Sequence, residues 1–179
     1  MAQFKAFAPG VEVNGQTVLS VVEGMGTFKQ FSLQILAGHG ITDPRPGQWY
    51  SQQSWLDSFK DIAKKVGDAT LFQIGTKIPE NAAWPPEVDT IDKALASIDV
   101  AYHMNHRGGE IGRYDYQKTV DKEGKMVCDN PYPCDFDRGI ITAAAQKFAP
   151  AGVFVTVKHD DSSPCRKAAA DSCTYLISW

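Results

Sequence analysis

Residues 108–128, GGEIGRYDYQKTVDKEGKMVC, decide how this chain is read, because the period of its apolar residues changes there. Before Gly108 the apolar positions recur at helical spacing; after Gly109 they alternate. Ile111, Arg113, Tyr114, Asp115, Tyr116 and Thr119 predict a strand, residues 121–124 a turn, and Lys125, Met126 and Val127 a returning strand.

Upstream of that switch the pattern is helical throughout. Val18, Val21, Val22 and Met25, then Phe28, Phe31, Leu33, Ile35 and Leu36, predict two helices broken at Gly24 and Gly26 and stopped at Gly38 and Gly40. Asn14-Gly15 predicts a turn. Trp55, Phe59, Ile62, Ala63 and Val66 form one stripe of a helix over 51–66, ended by Gly67. Asp68 caps a further short helix containing Leu71, Phe72 and Ile74, and Pro79, Pro85 and Pro86 bracket a loop around Trp84. Asp89 or Thr90 opens a helix carrying Ile91, Ala94, Leu95, Ile98 and Tyr102.

Downstream, a helix is expected over 137–148, and strands at Val153–Val157 and over 173–179. The order is several helices followed by β-β-α-β-β. That order predicts an α+β fold, with the N-terminal helices packed on a four-stranded antiparallel sheet. At 179 residues the chain is expected to be a single ligand-binding domain over 1–179, with a helical part over 1–108 and a metal-bearing part over 109–179.

Composition narrows the function. A net charge of -3 with no Lys/Arg block argues against a nucleic-acid binder. The apolar runs fall short of the roughly 18 residues of a membrane span. Met1 to Pro9 has no sustained apolar stretch of the kind a signal peptide needs. The expectation is a cytoplasmic protein in a reducing compartment, where four cysteines favour metal over disulfides. No Gly-rich nucleotide loop, G-x-S-x-G or H-E-x-x-H is present, and no catalytic residue is assigned.

Cys128, Cys134, Cys165 and Cys173 each fall at the boundary of a predicted element in the β-β-α-β-β part. Such positions can turn toward one point, so the four predict a structural, tetrahedral Zn2+ site, with His159 and Asp160 as substitute ligands. An iron–sulfur cluster on the same cysteines, or a disulfide pair, stay open as lesser readings.

Cys134 followed five residues later by Gly139 at a helix start, and then Cys165-x7-Cys173 running into the last strand, resembles the 4-vinyl reductase-type ligand-binding domain. That superfamily includes the sensory domains of phenol-responsive transcription activators and, more distantly, transport-particle subunits and haem–nitric-oxide-related sensors. The resemblance covers about the last third of the chain and implies a structural zinc held by the cysteines and a carboxylate shortly before the Cys pair. Ser162 stands where those sensors carry the carboxylate, so the missing ligand must come from Cys128, His159 or Asp160, with Cys128 favoured.

The resemblance also implies an apolar pocket between helices and sheet. Trp49, Tyr50, Trp55, Phe72, Trp84, Tyr102, Tyr114 and Tyr116 supply suitable linings, and Trp84 on its proline-flanked loop suits a pocket mouth. His103 and His106, at i and i+3, can share a face and hold a metal, a haem iron or a polar ligand group; the competing reading is a helix end whose cationic side chains offset the dipole. The leading expectation is a sensor that binds a small hydrophobic ligand and signals through a homodimer or a separate partner. The alternatives are a tetrapyrrole-related enzyme, a haem or gas binder using His103 or His106, and a structural subunit.

Overall fold

The computed structural model describes residues 3–179; Met1 and Ala2, part of the N-terminal reading above, lie outside the described residues. The chain begins with a short strand, β1 (Glu12–Asn14), that runs directly into α1 (Gly15–Gly24). Asn14-Gly15 is therefore a strand-to-helix junction. The Asn14 side chain accepts from the Gln16 amide and caps α1. A Cβ on Gly15 would lie 2.0 Å from the carbonyl oxygen of Arg45, which is why glycine follows the cap. A single 3₁₀ turn (Gly26–Phe28) separates α1 from α2 (Lys29–Gly38), as the glycine break predicts.

After β2 (Trp49–Ser51) the Ser51 hydroxyl caps α3 (Gln52–Val66). Trp55, Phe59 and Ile62 bury one face of α3, and Gly67 at φ 100° ends it. α4 (Asp68–Asn81) is longer than the sequence suggests, because Pro79 lies in its last turn and does not stop it earlier. Thr90 caps α5 (Ile91–Met104), whose Ile91, Ala94, Leu95, Ile98 and Tyr102 are buried as predicted.

β3 (His106–Arg107) joins β1 and β2 in a small antiparallel sheet of order β2-β1-β3 that the sequence reading does not anticipate. Strands of two and three residues carry too little alternation to register. The larger sheet is as expected: β4 (Arg113–Val120), β5 (Glu123–Asp129), β6 (Thr156–His159) and β7 (Cys173–Ser178), all antiparallel in the order β4-β5-β7-β6. The fold is α+β, with six helices and two antiparallel sheets among the described residues.

The strand expected at Val153–Val157 is displaced. β6 is an edge strand that pairs only with β7, and the ladder opens at Thr156 opposite Ser178, so residues 153–155 lie outside it. Phe154 is consequently 88% exposed.

α6 (Cys134–Lys147) crosses α4 so closely that both helices need glycine at the contact. A Cβ on Gly75 would lie 2.2 Å from the Phe136 carbonyl oxygen, and one on Gly139 would lie 2.2 Å from that of Phe72. The Cys134-to-Gly139 spacing thus fixes where α6 begins and where it meets α4. Among the described residues no helix is long and apolar enough to cross a membrane.

Candidate functional site

Two constellations stand out, a cavity and a cysteine cluster, and α6 contributes to both. The cavity, ≈ 230 Å³, lies between α1, the end of α4 with the loop that follows, α5 and the first turns of α6. Its wall is mainly apolar: Trp55, Ile78, Trp84, Ile98, Tyr102, Phe136 and Ile140 line it, with Val100 and Met104 exposed on α5. Trp84 is fixed by its indole N–H, which donates to the Pro79 carbonyl, and by an edge contact on Phe148.

His106 is the one histidine among the described residues lining the cavity. Its Nδ1 lies 2.7 Å from the Tyr102 carbonyl oxygen, which can only accept, so Nδ1 carries the proton and Nε2 the lone pair. The Tyr132 hydroxyl, 2.6 Å away, donates to that lone pair and accepts from Gln52 Nε2 at 3.0 Å. Burial lowers the His106 pKa to about 4, so the imidazole is neutral at physiological pH. Tyr132 packs edge-on against Trp55 and Phe59 and tilted against Phe136, at ring separations of 5.2, 6.1 and 5.3 Å.

Of the residues read from sequence as ligand contacts or pocket linings, Trp55, Trp84, Tyr102, His106 and Tyr114 line the cavity. Trp49, Tyr50, Phe72, His103 and Tyr116 do not. His103 is half exposed and bonded to the Asp99 carbonyl, and the Tyr116 hydroxyl donates to Asp92. The sequence reading leaves out Tyr132, although it lies between Pro131 and Pro133, the same rigid setting that singles out Trp84.

The second constellation joins Cys134 at the start of α6, His159 at the end of β6, Cys165 in the loop beyond, and Cys173 at the start of β7. Their ligand atoms all lie within 4.8 Å of one another, a group that could hold one metal ion. The sulfur separations are 2.9 Å (Cys134–Cys173), 3.5 Å (Cys134–Cys165) and 3.6 Å (Cys165–Cys173), with no disulfide formed. His159 Nε2 is buried without a hydrogen-bond partner. Cys128, favoured from sequence as the fourth ligand, is not in the group: it is fully buried on β5 opposite Cys173, and His159 takes the fourth place. The Asp160 carboxylate is occupied by Ser162 and Ser163.

Within the cluster the Cys134 thiol hydrogen-bonds the Cys173 sulfur, and this bond, followed by the Arg166 charge, lowers the Cys173 pKa to about 3. The Cys134 thiol is raised in turn by keeping the shared proton. Arg166 is itself buried. Its Nε donates to Cys173 Sγ at 3.3 Å, one Nη to the Asn130 side-chain oxygen at 2.5 Å and the other to Asp137. Asp137 accepts from the Tyr114 hydroxyl at 2.6 Å. Burial raises Asp137 to about 6 in spite of these donors, which leaves it ionised at pH 7.

No protein-family model and no curated protein matches the chain in sequence. Solved structures do match in fold. An H-NOX (haem–nitric oxide/oxygen binding) protein from S. oneidensis, in the Fe(II)NO ligation state, superposes with a TM-score of 0.68 at 15% identity, covering 91% of this chain and 97% of that one. A point mutant of T. Tengcongensis H-NOX gives 0.67 at 15%, covering 92% and 96%. Fe(II) unliganded H-NOX from K. algicida gives 0.62 at 11%, covering 92% and 95%. The fold fits the haem–nitric-oxide part of the superfamily suggested by sequence, not its vinyl-reductase part. It also corrects the cofactor expectation. Structural zinc with haem in second place is overturned, because the neighbours of this fold are haem domains.

The side chains present do not fit a haem as they are packed. The lone pair an iron would take, on His106 Nε2, is held by Tyr132, and Tyr132 is wedged among aromatic rings. Among the described residues the one Lys or Arg on the cavity wall, Lys77, is paired with Glu80 at 2.6 Å, so the carboxylates of a haem would meet no free cation there. The cavity itself is below the about 300–1,000 Å³ common for cofactor-sized sites.

Proposed function

We propose that the protein is a small-molecule sensor domain built on the H-NOX fold, whose ligand site is the cavity at His106. The observation that carries this reading is an apolar, aromatic-walled cavity with one neutral, oriented imidazole and, among the described residues, no free charge. Such a site favours an uncharged, largely hydrophobic molecule, since a charged one would be desolvated without a partner. The signal passes to a second copy or a separate partner. Four unpaired thiols suit the reducing cytoplasm.

A second part of the reading concerns the cluster. Cys134, His159, Cys165 and Cys173 hold a metal ion outside the cavity, supported by the orphaned His159 Nε2 and the three converging sulfurs.

Haem carried on His106 is the competing reading. It is favoured by the fold's neighbours and by the Nε2 lone pair, and it requires Tyr132 to swing away. The visible spectrum and native mass of the protein purified without chelator separate the two. A co-purified organic mass with no Soret band is expected. A Soret band that disappears in His106→Ala would establish the haem reading instead.

A further inference from the structure

The cysteine cluster and the cavity share a buried polar network, and from it we infer that metal occupancy of the cluster controls the affinity of the cavity. The inference rests on the reading of both sites above. Two branches leave Arg166, whose side chain is 1% exposed. One runs from Cys173 through Arg166 and Asp137 to the Tyr114 hydroxyl, and Tyr114 is part of the cavity wall. The other runs through the Asn130 side-chain oxygen, which also accepts from the Tyr132 backbone N–H at 2.9 Å, and Tyr132 holds His106. A third connection is mechanical. Cys134 opens the helix that places Phe136 and Ile140 on the cavity wall.

Linkage requires that the two states of one site differ in what they ask of the other. They do here. Without a metal, the single guanidinium is shared between two buried acceptors, the Cys173 sulfur and the Asp137 carboxylate. A metal ion takes the Cys173 sulfur into its own bonds and leaves Arg166 to Asp137 alone. It also ties the first residue of α6 to β6 and β7, which fixes the helix end that carries the cavity wall. A wall fixed in advance binds a ligand without the cost of ordering it. The coupling is reciprocal, so a ligand in the cavity raises metal affinity by the same factor.

The test uses Cd2+, whose thiolate bonds absorb in the ultraviolet, as the metal probe and toluene as the cavity probe, both on the full chain. Toluene binding is measured with and without one equivalent of Cd2+, and the His106 ring resonances are followed during the Cd2+ titration. We expect toluene to bind at least threefold more tightly to the Cd2+-loaded protein, and the His106 resonances to shift. In Tyr114→Phe, which keeps the ring and cuts one branch, the toluene effect shrinks. Equal toluene affinity in both metal states with unmoved His106 resonances overturns the inference, as does a failure of Cd2+ to bind. If toluene does not bind in either state, the cavity reading fails, and the His106 resonances alone then decide the coupling.

Discussion

Arg166 Nε donates to the Cys173 sulfur at 3.3 Å while the same guanidinium forms a fully buried ion pair with Asp137. Buried charge is tolerated only when it is paired and hydrogen-bonded, and here one cation meets that demand for a carboxylate on α6 and a sulfur on β7. The arrangement pins the last third of the chain to itself across its helix and its sheet.

Arg166→Met should therefore be severely destabilising, by about 3–5 kcal/mol, because it leaves Asp137 buried and unpaired. Adding Asp137→Asn to it should recover a substantial part of that loss, since the uncompensated charge is gone. Chemical denaturation of the two single variants and the double variant measures this. Additive losses would show that Arg166 acts through Cys173 and not through Asp137.

The α4–α6 crossing gives a second test. Gly139→Ala puts a methyl group within 2.2 Å of the Phe72 carbonyl oxygen, a backbone atom that cannot step aside. Overpacking of this kind costs about 1–3 kcal/mol, more than the helix-propensity gain of about 1 kcal/mol from replacing glycine. Gly38→Ala, at the exposed end of α2 with nothing within 4 Å, is the control and should not destabilise. Thermal melting of the two variants should move in clearly different amounts.

How far the sequence carried is visible at particular residues. The helical stripes of α3 and α5, the Thr90 cap, and the β-β-α-β-β order follow from periodicity and capping chemistry, which are local. Cys134, Cys165 and Cys173, singled out by their places at element boundaries and by the family resemblance, do converge in the structure. Choosing His159 over Cys128 is not local. It depends on the β5–β7 register, which buries Cys128 beside Cys173 but outside the group, and on β6 ending where it brings His159 alongside. Asp137, Arg166 and Asn130 escape sequence reading for the same reason. Polar residues in loops and first helical turns are ordinarily solvated, and only the tertiary fold takes these three out of water.

The ligand group itself is open to a direct count. Protein purified without chelator should carry one metal ion per chain by elemental analysis. Cys173→Ser and His159→Ala should lower that stoichiometry, whereas Cys128→Ala should leave it unchanged at a cost in stability alone. Loss of metal in Cys128→Ala with retention in His159→Ala would reverse the assignment of the fourth ligand.

His106 should leave a signature in the pH dependence of stability. Its folded pKa is depressed to about 4 by burial, against an unfolded value of about 6.5. Between those values the unfolded chain binds the proton and the folded chain does not, so stability rises with pH across that window and is level above it. At one pKa unit per about 1.4 kcal/mol, the neutral imidazole contributes up to about 3 kcal/mol at pH 7 that is lost as pH falls toward 4. His106→Asn, which keeps a polar side chain without titrating, should flatten this part of the curve. Denaturant midpoints of the two proteins, taken from pH 7 down to pH 4.5, should converge toward the acid end. If the wild-type slope survives intact in the variant, the imidazole is not the group that titrates, and His106 is not the neutral hydrogen-bonded wall residue on which the cavity reading depends.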